Sequence, residues 1–233
     1  MARITRKELK SDKFALEVEH TVTFFEEHQK DVIRYGAIAV GVALLIVGYT
    51  IYSRHEHALR EEALAKAIQV QEAPIGPPQP GQNLNFPTQE VKDQVALKTF
   101  TELQAKYPGS DEGEIAEYYL GCIKADQGNL PEAEKSFKEV ADKGSKDYAS
   151  LAKLALAQIY FASGRDGEGE STLRDLMAHP TVYVSQEQAA ILLAQSLMAK
   201  KPAEARKLLD PLRNKQGPVG QRVLQIYSEL PPA

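Results

Sequence analysis

The chain of 233 residues has one cysteine, Cys122, and no tryptophan. A single thiol excludes an intramolecular disulfide, so cysteine usage neither requires nor forbids an oxidising compartment. No glycine-rich phosphate loop is present. Histidine is sparse, and its placement argues against a metal: His55 and His57 are two apart, and on a helix such neighbours point about 200° away from each other. His20, His28 and His179 have no second ligand at a useful spacing. Ser150 and Lys153 satisfy the S-x-x-K pattern of penicillin-recognising enzymes, but the companion S-D-N and K-T-G elements are missing. GRDGEGE at 164–170 lacks the ligand order of a calcium loop and reads as a hairpin turn. Cys122 has no base beside it in the sequence and reads as a compact apolar filler. Together these gaps speak against an enzyme, and no cofactor or metal is expected. The charge balance speaks against nucleic acid. Of 28 basic and 32 acidic residues, seven of each fall in the first 34, so the remainder is net acidic and lacks a footprint for phosphate.

Charge is also missing locally. Residues 35–52, YGAIAVGVALLIVGYTIY, carry none, and the uncharged stretch runs from Arg34 to Arg54. As a helix it spans roughly 28 Å, close to the hydrocarbon thickness of a bilayer. Tyr35 at one end and Tyr49 and Tyr52 at the other suit the headgroup level, and the flanking arginines reach water. A soluble core helix with no polar face at this length is unusual. A cleavable signal is disfavoured by the 34 residues that precede the run and by YSRHEHA after it, which offers no small-x-small site. The expectation is an uncleaved anchor. Arg3, Arg6, Lys7, Lys10, Lys13, Lys30 and Arg34 place the short tail in the cytoplasm and residues 53–233 outside, although the nearest flanks alone, Lys30 and Arg34 against Arg54, Arg60 and Lys66, point the other way. Within the tail, Phe14, Val18, Val22, Phe25 and Val32 recur at helical spacing and predict an amphipathic helix leading into the anchor. Ala37-x3-Gly41 and Ala39-x3-Ala43 permit close helix packing and so a homo-oligomer.

The pattern beyond the anchor is all-α. HEHALREEALAKAIQVQEA has high helix propensity, and APIGPPQPGQNLNFP, with five prolines and two glycines, reads as an exposed loop without regular structure. Five segments follow from this: a cytoplasmic tail over 1–34, the anchor over 35–53, a membrane-proximal helix over 54–73, a Pro/Gly-rich loop over 74–88, and a helical domain over 89–230. In that domain KYPGSD, DQGNLP, DKGSKD, ASGRDG, AHPTVYV, AKKP and NKQGP separate segments that suit antiparallel helical hairpins. Only Val182 to Val184 reads as strand. A shift of 36 residues superposes Leu120 on Leu156, Gly121 on Ala157, Ile123 on Ile159, Gly128 on Gly164, Phe137 on Leu173 and Val140 on Leu176. A second shift brings Ala133 onto Ala205, Phe137 onto Leu209 and Val140 onto Leu212. One hairpin is being reused.

Small residues one turn before a large one, at Ala96 and Phe100 and again at Ala133 and Phe137, with Leu103, Pro108, Gly121 and Gly128, make this region resemble tetratricopeptide repeats, whose unit is about 34 residues. The resemblance covers residues 88–213, with 217–230 as a capping helix. Glu117 and Lys124 depart from it, since the family places apolar residues there, and the third unit keeps its second helix better than its first. A repeat stack of this kind implies recognition of protein partners on a concave face lined by the first helix of each hairpin. In the family register Ile115, Tyr118, Cys122, Leu151, Leu154 and Phe161 face that groove, the alternative being ordinary core between hairpins. Of the adjacent rings, Tyr118 is assigned to the groove and Tyr119 to the hairpin packing.

The layout as a whole, a charged tail ending in FFEEHQKDVIRYG, one early anchor, an alanine-rich helix and imperfect repeats, resembles the ancillary SecYEG translocon subunit family of bacterial inner-membrane proteins. That resemblance implies a single-pass protein with a periplasmic repeat domain, an adapter for secretion or chaperone hand-off whose partners are the translocon, periplasmic chaperones or emerging chains. KYPGSDEGEIAEYYLG is also similar to repeats of outer-membrane assembly lipoproteins and cell-division coordinators, so an envelope-assembly or cell-division scaffold is the alternative. Against it stand the missing lipidation cysteine and cleavage site.

Overall fold

The computed structural model describes residues 29–77 and 84–231. The expected amphipathic helix of the tail lies outside the described residues up to its last turn. Among the described residues nine α-helices follow in order: α1 Gln29–Glu72, α2 Gln89–Lys106, α3 Asp111–Asp126, α4 Leu130–Lys143, α5 Lys146–Ala162, α6 Asp166–Ala178, α7 Gln186–Leu197, α8 Pro202–Leu209 and α9 Pro218–Glu229, with a 3₁₀ turn at Asp210–Leu212. Among the described residues no strand forms.

The chain divides into two compact units, residues 1–58 and residues 59–233. In the first, the apolar part of α1 stands without packing partners among the described residues: Leu45 is 75% exposed, and Ile33, Ile38, Leu44, Val47 and Ile51 are all more than half exposed. Among the described residues this is the one helix long and apolar enough to cross a membrane.

The second unit is built from the repeats. Short polar residues start its helices: the hydroxyls of Thr88, Ser110 and Ser185 accept from the backbone N–H three residues on, at 3.4, 3.1 and 3.1 Å. Gly128 and Gly164, at φ +78° and +74°, turn the first helix of a hairpin into the second, a conformation that costs any other L-residue about 1 kcal/mol or more. Positions related by 36 residues are buried alike: Leu120 with Leu156, Ile123 with Ile159, Phe137 with Leu173 and Leu209, and Val140 with Leu176 and Leu212. Between α3 and α4 the packing leaves no room for a side chain on Gly121, where an added Cβ would sit 2.8 Å from the Phe137 ring. The core is divided rather than single. One cluster joins Ala67 of α1 to Phe100 of α2 and Leu120 of α3, a second joins Phe137 and Val140 of α4 to Leu156 of α5, and a third runs from Leu173 through Leu193 and Leu209 to Ile226.

Several expectations change. The segment 54–73 has no boundary of its own, because α1 runs through it unbroken and its residues from Leu59 onward belong to the repeat unit, with Ala67 fully buried. Arg60 on the same stretch pairs with the buried Glu112 at 3.1 Å. The Pro/Gly-rich loop is pinned at its root. Ile75 and Phe86 form an isolated bridge, Gly76 N–H donates to Phe86 C=O at 2.9 Å, Phe86 N–H donates to Pro74 C=O at 3.0 Å, and Phe86 is buried. Val182 to Val184 is a turn, closed by Thr181 N–H to Val184 C=O at 2.9 Å. The third unit's weaker first helix has a simple cause. Ala152, Leu156 and Ala157 find their buried counterparts at Ala189, Leu193 and Ala194, 37 residues on, while Gly169 and Ala205 of the second helices stay 36 apart. The two departing polar residues are accommodated: the Lys124 ammonium donates to the buried Ser136 hydroxyl at 3.0 Å, and Glu117 is half-buried.

Candidate functional site

The first helices α3 and α5 pack against each other, α5 and α7 share the last core cluster through Ala157 and Leu193, and α9 packs on α7. Their shared face carries two clefts. The first, of about 320 Å³, lies between α3 and α5 and is lined by Tyr118, Cys122, Asp126, Ala155 and Gln158. The second, of about 440 Å³, lies among α5, α7 and α9 and is lined by Leu154, Gln158, Gln188, Ile191, Gln195 and Arg222. Gln158 borders both, so the two form one run across four helices.

Of the six residues expected there, Tyr118, Cys122 and Leu154 line this run. Leu151 and Phe161 are half-buried against the last core cluster. The Phe161 ring occupies the crossing of α5 and α6, where a Cβ on Gly169 would meet it at 2.7 Å, and it lines neither cleft. Ile115 is half-buried one turn before Tyr118 and lines neither cleft. Tyr118 does both jobs that the sequence divided between two rings. It borders the first cleft and also packs on Phe137 at 5.7 Å and edge-on to Tyr148 at 5.6 Å, while Tyr119 stacks on Phe100 at 4.9 Å. The sequence reading missed Gln158, Gln188, Gln195 and Arg222, because it followed apolar residues only. Gln158 stands seven residues after Leu151 and four after Leu154, on the same helical stripe, and that spacing would have found it.

Cys122, the thiol in the first cleft, is not activated as a nucleophile. Burial pushes the Cys122 thiol up to about 11, so the nucleophilic thiolate is scarce near neutral pH. The Ser150 and Lys153 pair is committed elsewhere: Ser150 donates to Asp147 C=O at 2.6 Å, Thr181 donates to Ser150 across 2.7 Å, and Lys153 pairs with Asp175 at 2.9 Å. What the run offers is an open surface of amides, aliphatic side chains and the rings of Tyr118 and Phe137, with Asp126 and Arg222 at its edges, suited to non-covalent binding.

Residues 23–207 match the family described as tetratricopeptide repeat-like domain, which is more than half of the chain. The chain belongs to this family. Neither a curated protein nor a solved structure matches it. Membership in the tetratricopeptide repeat-like family accords with the hairpins from α3 to α8. Proteins of this fold typically serve as scaffolds for protein interaction, without catalysis of their own.

Proposed function

We propose that the protein is a membrane-anchored adapter that binds protein partners in the run of clefts between α3 and α9 and works at the translocon, assisting secretion or hand-off to periplasmic chaperones. The single observation behind this reading is the combination, in one chain, of an exposed apolar helix of bilayer length with a tetratricopeptide repeat-like domain whose first-helix face is open. A helix with that surface needs lipid or another apolar partner around it. In this reading the tail is cytoplasmic, the repeats are periplasmic, the membrane is a bacterial inner membrane, and the small residues along α1 allow copies of the chain to associate.

Photo-crosslinking tests the reading. A photoreactive residue in place of Gln158 in the full-length protein in cells should capture translocon subunits, periplasmic chaperones or nascent chains. Capture confined to division or outer-membrane assembly proteins would replace the translocon role with that of an envelope scaffold, and no capture at all would remove the adapter role.

A further inference from the structure

The turn from α6 to α7 is held in place, yet it points an apolar side chain at solvent. Thr181 N–H donates to Val184 C=O at 2.9 Å and Val184 N–H donates to the Thr181 hydroxyl at 3.1 Å, while that hydroxyl lies 2.7 Å from that of the buried Ser150. Val184 is fully buried, Tyr183 rests edge-on against Tyr148 at 5.6 Å, and Ser185 caps α7. Val182, between these anchored neighbours, is 87% exposed, and Tyr183 beside it is 48% exposed. A connection between two helices needs neither side chain, since Gly144 and Ser145 suffice between α4 and α5. A fixed turn with a valine at its apex and a tyrosine at its shoulder loses little further entropy when it meets an apolar surface.

The place of this turn in the fold selects the surface. Antiparallel hairpins put their connections at two opposite ends of a stack, and the turns at 107–110, 144–145 and 179–185 share the end where α3, α5 and α7 start. The chain enters the repeat unit at that same end. Arg60, the second residue of the unit, pairs with Glu112, the second residue of α3, at 3.1 Å. Leu59 follows Arg54, the charge that closes the uncharged stretch, by five residues, a reach of at most about 18 Å even fully extended. Once that stretch spans a bilayer, the entry cannot move farther than this from lipid. Charge does not decide the contact: Lys106, Lys143 and Lys146 at this end are balanced by Asp111, Asp142 and Asp147. What stands out is an apolar tip beside an amphipathic ring, a pair suited to the headgroup level of a bilayer.

We infer that the 179–185 turn is a second membrane contact, in which Val182 and Tyr183 enter the headgroup layer of the bilayer that α1 crosses. This rests on the membrane-anchored reading above and adds to it a lipid-facing end of the repeats. With the chain entry tethered and this turn seated, two separate points fix the repeat unit on the surface, and the turns from α3 to α4 and from α5 to α6 face away from lipid.

The test uses the full-length protein in phosphatidylcholine vesicles, with Cys122→Ala and one NBD-labelled cysteine at a time, and with lipids that carry a nitroxide in the headgroup or deep in the acyl chain. A label at Val182→Cys should be quenched by the headgroup nitroxide about threefold more than a label at Gln127→Cys, in the turn at the opposite end. With the label moved to the exposed His179, Val182→Asp should remove most of the quenching, because a carboxylate stays in water, and raised salt should leave the quenching of the unsubstituted turn unchanged. An unchanged circular dichroism melt confirms that Val182→Asp is folded. No quenching at position 182, equal quenching at 127, loss of quenching in salt, or a Val182→Asp variant quenched like its parent would overturn the inference. A label at Leu45→Cys separates the two readings. If the deep nitroxide quenches it while position 182 stays bright, the anchor stands and the second contact fails; if Leu45 is not quenched either, both fail.

Discussion

At Glu114 the fold tolerates a carboxylate that it does not satisfy. Glu114 is 9% exposed in the first turn of α3, one of its oxygens has no hydrogen-bond partner among the described residues, and burial, followed by the neighbouring Glu139, raises its pKa. A carboxyl raised in the folded state favours the protonated fold. The cost is absent below its unfolded value of about 4.3 and grows as pH rises through the interval up to the folded value. Glu114→Gln should therefore stabilise the protein by about 1 kcal/mol at pH 7 and change little at pH 4, as thermal melts at the two values will show. Phe137 is the opposite case. It is 2% exposed, with Gly121 held against its ring. Phe137→Ala should cost about 3 to 5 kcal/mol in chemical denaturation, because the helices around it close only part of the cavity. Gly121→Val should also destabilise, by about 1 to 3 kcal/mol, through crowding of that same ring.

Successive hairpins are clamped together as well as packed. Arg165, in the turn between α5 and α6, presents its guanidinium fork to Glu134 of α4 at 2.9 and 2.5 Å and lies over the Tyr160 ring at 4.5 Å, while Lys138 reaches Glu134 at 2.7 Å. The Arg165 hydrogen bonds, followed by that of Lys138, hold the Glu134 carboxyl down to about 2. Stabilisation from a depressed carboxyl is complete above its unfolded value of about 4.3 and is lost as pH falls through about 2. Arg165→Ala should cost about 1 kcal/mol at pH 7, and the melting-temperature gap between variant and parent should begin to narrow below about pH 4 and close towards pH 2. No sequence period announces this clamp, since its partners are 31 residues apart and meet only once α4 and α5 are stacked. The helices themselves were legible, because Leu120, Phe137 and Val140 repeat at a period that the turn glycines share. The one-residue slip of α7 was hidden, since the extra residue is taken up in the loop before it. The entry of α1 into the first core was hidden for another reason: Ala63 and Ala67 are small, and an alanine-rich helix reads the same in water and against Phe100. The site divided along the same line. Apolar positions were found through the family register, but Phe161 serves the α5/α6 crossing, and the amides that distinguish the face were passed over as polar surface.

For the whole molecule the membrane reading makes the simplest prediction. Alkaline phosphatase fused after Ala233 should be active, and an intact but inactive fusion would place the repeats on the cytoplasmic side. The division of the core into three clusters has a mechanical consequence. Each cluster ties together only neighbouring helices, so breaking one leaves most apolar contacts elsewhere in place. If the far end of the repeats were gripped by a moving chain while α1 stayed fixed, tension would not meet a single barrier. Single-molecule pulling between α1 and the C-terminus should record a ladder of separate ruptures, each releasing a few tens of residues and each able to reclose under reduced load. Such a domain yields length under tension without surrendering its structure, the behaviour of a shock absorber between a membrane and whatever pulls on it.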